Sequence, residues 1–325
     1  MRFGLSTVNF ITPVQEKVKL VEERMRAQAL ESHPDLRAAL EHLLSSGGKR
    51  VRPTVVLLVG NMLGAPEEKL ITLGAAVEML HTATLVHDDL IDGSLLRRGM
   101  PTLNARWSPA ATVLTGDFLF ARAAKLAAET DHLPLMKLFA ETLAVIVNGE
   151  LTQLFTSRGL IDRDNYYQRI YAKTASLFEM STRAAAMVSP VEEEIVESMR
   201  TFGYETGMAF QIVDDILDFT GDQTAVGKPL GSDLLQGLVT LPAIYYAEAN
   251  SDDPDVKLLS EGGWGNQDRM ERLVMSIRQS GAIQSSMQEA EEFIRRALEK
   301  LSPLHSSTER NALEELAKYI IDRQI

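Results

Sequence analysis

Two short runs of aspartate carry the clearest chemical signal in the sequence. In EMLHTATLVHDDLIDG no helix breaker intervenes from Glu78 to Asp92, and Gly93 then acts as a stop. Asp88 and Asp92 therefore fall one turn apart on one helical face, with Asp89 beside them. The segment GMAFQIVDDILDFTG repeats the arrangement with Asp214, Asp215 and Asp218 ahead of Gly221. Carboxylates crowded into the last turns of a helix meet like-charge repulsion and the negative end of the macrodipole, at roughly 0.3 to 1 kcal/mol each. A hard divalent cation compensates well: Mg²⁺ takes oxygen ligands, keeps several waters and commonly uses a few carboxylates together with substrate phosphates. A single run of this kind reads more readily as a solvated helix end, but two nearly identical copies favour the metal. A calcium loop fits less well, because its interleaved oxygen ligands and central Gly are missing.

A metal-bound phosphate needs cations on its other side. GGKRVRP supplies Lys49, Arg50 and Arg52 on a Gly-rich loop that enters a helix near Pro53, a geometry suited to an anion. Just past the first Asp run, SLLRRGMPT carries Arg97 and Arg98, whose planar forks suit oxygen anions. The plainer alternative is ion pairing that neutralises the aspartates, and both can hold. His81 lies two turns before Asp88 on about the same face and reads equally as a satisfied core histidine or as a ligand-facing one. Gln211 and Phe210 precede Asp214 by three and four residues and share its sector of the helix. Lys173 and Thr174 in YAKTASLF and Lys228 in GKPLGSD say nothing individually.

Helices must position these groups. Ala, Leu, Glu, Met, Arg and Val recur at three- and four-residue spacing, alternating runs are scarce, and Pro34, Pro53, Pro66, Pro101, Pro109, Pro134, Pro190, Pro229 and Pro254 punctuate the pattern. The expectation is an all-α chain of about a dozen helices. No solenoid period appears, and the only weak linker is ANSDDPDVKLLSEGGWGNQD after residue 248. Because the suggestive segments lie both early and late, one domain over residues 1–325 is expected rather than two modules. The segment from about Met270 onward should complete the bundle.

The bulk composition narrows the function classes. The chain has 325 residues, 45% hydrophobic, with 33 Lys plus Arg against 45 Asp plus Glu and a net charge of -12. That balance argues against general affinity for nucleic acid or anionic lipid. The absence of Cys excludes disulfides, thiolate metal sites and cysteine nucleophiles, and fits a cytoplasmic location. No signal peptide is read at the start. No uninterrupted apolar run approaches the ~18 residues of a membrane helix, so a soluble protein is expected.

Taken together, GGKRVRP, LVHDDLIDGSLLRRGMPT, GDFLFA, YAKTASLF, FQIVDDILDFTGD and GKPLGSDLLQGLVTLP resemble the trans-type polyprenyl diphosphate synthase family in order and spacing, from about Gly47 to Pro242. The resemblance implies an isoprenoid-synthase bundle around a deep central cavity, usually a homodimer, with three Mg²⁺ ions bridging the Asp helices to diphosphate. By matching position, Lys49, Arg52, His81 and Arg98 resemble the isopentenyl diphosphate site. Arg97, Lys173, Thr174, Gln211 and Lys228 resemble the allylic diphosphate site. The metal positions would be Asp88, Asp89, Asp92, Asp214, Asp215 and Asp218, with Asp88, Asp92 and Asp214 foremost. Asp88, Asp92, Arg97, Lys173, Asp214 and Lys228 would serve catalysis. One departure stands out: the family pattern commonly places Lys after the Gly preceding Thr-Leu-Pro, whereas here Gly237 is followed by Leu238. Its absence could weaken allylic substrate binding, another cation could replace it, or the chain could need a partner subunit.

The resemblance further implies that aromatic residues one turn before the first Asp run cap short products. Ala83 and Thr84 stand there instead, which points to linear products of about thirty carbons or more, since each helical turn descends about 5.4 Å, the length of one prenyl unit. Small residues are also ordinary helix-packing choices, and Phe118 or Phe120 could form a floor, so a farnesyl or geranylgeranyl diphosphate synthase stays open. A long product leaves room for a transient membrane contact on release. The rival enzyme is a terpene cyclase, which the second Asp run and the GGKRVRP loop disfavour. The rival from another class is a noncatalytic subunit of a heteromeric prenyltransferase, for which Leu238 speaks and the intact Asp runs do not.

Overall fold

The computed structural model describes residues 9–30, 32–155, 159, 161–221 and 230–323. Its helices are α1 (Gln15–Ala27), α2 (Pro34–Ser45), α3 (Val51–Met62), α4 (Glu67–Ile91), α5 (Leu103–Arg106), α6 (Pro109–Ala128), α7 (Leu133–Phe155), α8 (Arg163–Ile170), α9 (Ser176–Met187), α10 (Glu193–Thr220), α11 (Ser232–Leu235), α12 (Leu241–Ala249), α13 (Pro254–Ser260), α14 (Gln267–Gln279), α15 (Ala282–Leu301) and α16 (Thr308–Asp322). They exceed a dozen because one-turn pieces such as α5 and α11 are too short to leave a periodic trace. Proline starts several as read from the sequence: Pro34, Pro109 and Pro254 sit at the first helical turn, where the missing N–H costs nothing.

The all-α expectation holds, with one short exception among the described residues. Two-residue strands β1 (Leu96–Arg97) and β2 (Met100–Pro101) pair antiparallel with Arg97 opposite Met100. Between them Arg98 and Gly99 both have positive φ, 52° and 74°, the primed turn that matches strand twist in a two-residue hairpin.

Contacts divide the chain into two compact units. One comprises the residues up to Thr142 with Met180–Arg200 and Leu304–Leu313; the other comprises Leu143–Glu179, Thr201–Pro303 and the residues from Glu314 onward. In the first, α4 is the central helix, packed by α1, α3 and α6. It is long and apolar enough to cross a membrane, which the sequence reading missed because Glu78 and His81 interrupt the apolar run. Most of it is core, with Leu70, Leu73, Met79 and Leu80 fully buried. The second unit buries Phe219, Ile212, Leu241, Leu273 and Ala290 in a core to which α10, α12, α14 and α15 contribute. The stretch after residue 248 is no linker: it forms α13 and a 3₁₀ turn at Gly263–Gly265 within that unit. The segment from Met270 supplies α14, α15 and α16.

Candidate active site

In the first unit, α4 stops where the sequence says it should. The Gly93 N–H donates to the Leu90 carbonyl (3.2 Å) and the Ser94 N–H to that of Asp89 (2.8 Å), the paired bonds of a Schellman turn. Asp88 is thus left partly buried in the last turn, and Asp92 is the exposed C-cap. Asp89 is buried, and Arg97 takes both its oxygens, Nε at 2.9 and 3.1 Å and Nη2 at 2.9 Å. The hairpin separates the two adjacent arginines: Arg97 goes to Asp89, whereas Arg98 Nη1 donates to the Gly47 carbonyl. Gly48 permits that approach. Its φ is +146°, and a Cβ there would lie 2.6 Å from Arg98 Nη1.

The GGKRVRP loop divides its cations by task. Arg50, in the left-handed region at φ 46°, is an anchor: it donates to Glu22 (2.8 Å), Glu78 (3.1 Å) and the Leu44 carbonyl (2.8 Å). Burial pushes the Glu78 carboxyl up against the opposing pull of Arg50 and Arg52. Arg52 Nη1 lies 3.1 Å from His81 Nε2. Burial first, then Arg52, Arg98, Arg97 and Arg50, hold the imidazole well below its usual range, so His81 is neutral and Nε2 accepts. Lys49 is exposed beside them. Lys49, Arg52, His81 and Arg98 therefore belong to one basic cluster around the loop and hairpin. One turn back from Asp88, Ala83 is fully buried and Thr84 folds its hydroxyl onto the His81 carbonyl (2.8 Å). Phe120 packs against His87 at 5.3 Å, and Phe118 lies under Arg122 at 5.0 Å.

The second unit holds Asp214, Asp215 and Asp218 at the end of α10, and each is engaged. Asp214 pairs with Arg323, whose guanidinium stacks over Phe210 at 4.4 Å. Asp215 is buried and accepts from Tyr166 Oη (2.8 Å) and Gln211 Nε2 (2.9 Å). Burial raises its carboxyl to about 7, partly offset by those bonds and by Arg169. Asp218 accepts from the Ser232 hydroxyl (2.7 Å) and the backbone N–H groups of Ser232 and Asp233 (3.2 Å each), closing the turn before α11. Lys173 and Thr174 lie on a π-helical turn, Tyr171–Ala175, between α8 and α9. Thr174 Oγ1 donates to Gln211 Oε1 (2.6 Å), and Lys173 Nζ is 3.8 Å from Glu150. Leu238 is a half-buried residue whose N–H closes onto the Asp233 carbonyl (2.9 Å), and Arg169 reaches the neighbouring Val239 carbonyl (2.5 Å). Lys228 lies outside the described residues.

Sequence reasoning missed Tyr166, Arg169 and Arg323. Tyr166 precedes Lys173 by two turns and was visible as a polar aromatic in register with it; Arg323, near the chain's end, gives no pattern to read.

The donor set is oxygen throughout, and among the described residues no three His, Asp or Glu side chains already converge to cage an ion. That suits a hard cation which brings its waters and takes remaining ligands from a phosphate, and does not suit one requiring a complete protein cage. The family model for polyprenyl synthetase matches residues 33–275. The chain belongs to the polyprenyl synthetase family. Within that family it is 40% identical over 285 residues to the all-trans-nonaprenyl-diphosphate synthase (geranyl-diphosphate specific) of Rhodobacter capsulatus, covering 87% of each chain. It is 34% identical over 312 residues to heptaprenyl diphosphate synthase component 2 of Bacillus subtilis, covering 96% of this chain and 89% of the other. The crystal structure of the Caulobacter crescentus polyprenyl synthase complexed with calcium and isoprenyl diphosphate superposes over 100% of both chains with a TM-score of 0.90 at 33% identity. This polyprenyl synthetase is accordingly a trans-prenyltransferase with the all-helical isoprenoid-synthase fold.

Proposed function

We propose that this polyprenyl synthetase condenses isopentenyl diphosphate with an allylic diphosphate to a linear trans-polyprenyl diphosphate of about thirty carbons or more. The observation that carries the length is the small pair Ala83 and Thr84 one turn back from Asp88, with no Phe, Tyr or Trp between them and the aspartates on α4. The heptaprenyl and nonaprenyl names of its relatives support it.

Lys49, Arg52 and Arg98 hold the isopentenyl diphosphate, and neutral His81 keeps Arg52 aimed. Lys173 and Gln211 serve the allylic diphosphate, as does Lys228 by its motif. Asp88, Asp92 and Asp214 are the carboxylates that would hold Mg²⁺, three ions by the family pattern, and Arg323, paired with Asp214 here, would give way to one. When bound, Mg²⁺ neutralises the departing diphosphate and lowers the barrier to breaking the allylic carbon–oxygen bond. Asp89, Asp215 and Asp218, whose oxygens are taken by protein donors, hold the hairpin, the π-turn and the α11 turn. Arg97 fixes the hairpin through Asp89. The double bond of isopentenyl diphosphate attacks the allylic carbon whose bond to diphosphate has broken, and the proton lost from the adduct goes to the released diphosphate. Half-buried Arg169, which reaches the Val239 carbonyl, offsets the ammonium lacking at Leu238.

The partner is a second copy of this chain. Val147, Leu151 and Leu154 of α7 form an exposed apolar stripe at helical spacing, which Leu151→Glu should convert to monomer by sedimentation. A heteromeric partner is the second reading, favoured by the component 2 name of the Bacillus relative. The deciding experiment incubates the protein with Mg²⁺, isopentenyl diphosphate and dimethylallyl, geranyl, farnesyl or geranylgeranyl diphosphate separately, then sizes the dephosphorylated alcohols. Long linear polyprenols are expected. Products stopping at about fifteen or twenty carbons overturn the small-floor argument, and no consumption of isopentenyl diphosphate favours the heteromeric reading.

A further inference from the structure

The π-turn is held by a closed circuit of side chains rather than by its backbone alone. Tyr166 on α8, 1% exposed, donates to Asp215 on α10; Gln211, one turn earlier on α10, donates to the other oxygen of Asp215; Thr174, on the turn itself, donates to Gln211. The circuit leaves the α8 side of the turn, crosses to α10 and returns to the turn. Packing closes it further: Gly207 lets α10 approach so closely that a Cβ there would lie 2.6 Å from Ala175 Cα.

Once Asp215 is ionised, above about pH 7, the chemistry of the four groups fixes the direction of every bond. The carboxylate of Asp215 can only accept, and the phenol of Tyr166 is held neutral by burial and by that carboxylate. Gln211 must therefore turn its amide nitrogen to Asp215, which leaves its carbonyl oxygen for Thr174. Thr174 in turn spends its hydroxyl proton inward and keeps lone pairs outward, while Gln211 retains a second N–H. Turning the amide over would set two acceptors face to face at Asp215. The result is one acceptor and one donor at fixed, adjacent positions beside Lys173.

We propose that Tyr166 and Asp215 are positioning residues for the allylic-diphosphate side of the reaction, fixing the orientation of Gln211 and Thr174 and clamping the π-turn that carries Lys173. This rests on the assignment of Lys173 and Gln211 given above. Tyr166→Phe removes the O–H and keeps the ring. Two readouts test it on the full-length protein: backbone hydrogen exchange at residues 171–175, and steady-state KM for each substrate. Tyr166→Phe should raise exchange in the turn by about tenfold and KM for the allylic diphosphate by about five- to tenfold, leaving KM for isopentenyl diphosphate within about twofold. Thr174→Val should reproduce the KM split and Thr174→Ser, which retains the hydroxyl, should restore it; that pair decides the matter if Tyr166→Phe fails to fold. Unchanged exchange, or equal shifts in both KM values, overturns the proposal. If the wild-type protein elongates no allylic diphosphate, the functional reading fails first, and the exchange comparison alone then decides whether the clamp exists.

Discussion

The two aspartate runs look alike in sequence and are built differently. At the end of α4 Asp89 is buried and held by Arg97, Asp88 is half-buried in the last turn and Asp92 is exposed at the C-cap. At the end of α10 all three are committed, to Arg323, to Tyr166 and Gln211, and to the turn at Ser232. The first run leaves Asp92 exposed at its end, whereas every carboxylate of the second is held by a partner from elsewhere in the chain. Identical spacing therefore sets which face the carboxylates occupy, and neighbours far away in sequence set whether they are free.

Substitutions should break that comparison unequally. Asp88→Ala should cost most, on the order of a thousandfold in kcat with the helical circular dichroism unchanged, because it removes a carboxylate proposed to hold the metal at the leaving group. Activity within tenfold of wild type would show that α4 does not carry the metal. Gly48→Ala should act next: it strains a positive φ and meets Arg98, so KM for isopentenyl diphosphate should rise by about tenfold while the allylic KM holds. Equal loss for both substrates would place the loop in the scaffold rather than the site.

Asp215→Asn sharpens the comparison at the smallest scale, read as stability of the protein in chelator. Burial raises the folded carboxyl from its ordinary 3.8 to about 7, so the folded state binds the proton more tightly than the unfolded state. Its contribution is favourable below about pH 4 and is lost as pH rises through 7. The melting temperature of the Asn variant relative to wild type should therefore climb between pH 5 and pH 8 and level off above, by an amount worth a few kcal/mol at most. A pH-independent difference would mean that Asp215 is already ionised at pH 5.

The ends of α4 and α10 were legible because a run of Asp followed by Gly states both a face and a stop. Arg50 was separable from Lys49 and Arg52 only in the fold, since its work depends on Glu22 and Glu78, 28 residues away on either side. The hairpin left no trace, because two-residue strands are shorter than any period. The Arg323 tie joins residues 109 apart and has no local signature. The grouping of Lys173, Thr174 and Gln211 was legible through motif order, but not the π-turn or the tyrosine behind it.

That turn has a consequence for how the sequence tolerates change in length. A π-turn amounts to one residue more than an α-helix needs, and each residue advances the helical phase by about 100°. Deleting a single alanine between Ile170 and Ser176 would leave both Asp runs, every cation and the overall composition intact. It would nevertheless rotate α8 against α9 and carry Tyr166 away from Asp215. Insertions and deletions in this stretch should therefore be far more damaging than most substitutions there, since the segment encodes a count of residues as well as the identities of Lys173 and Thr174.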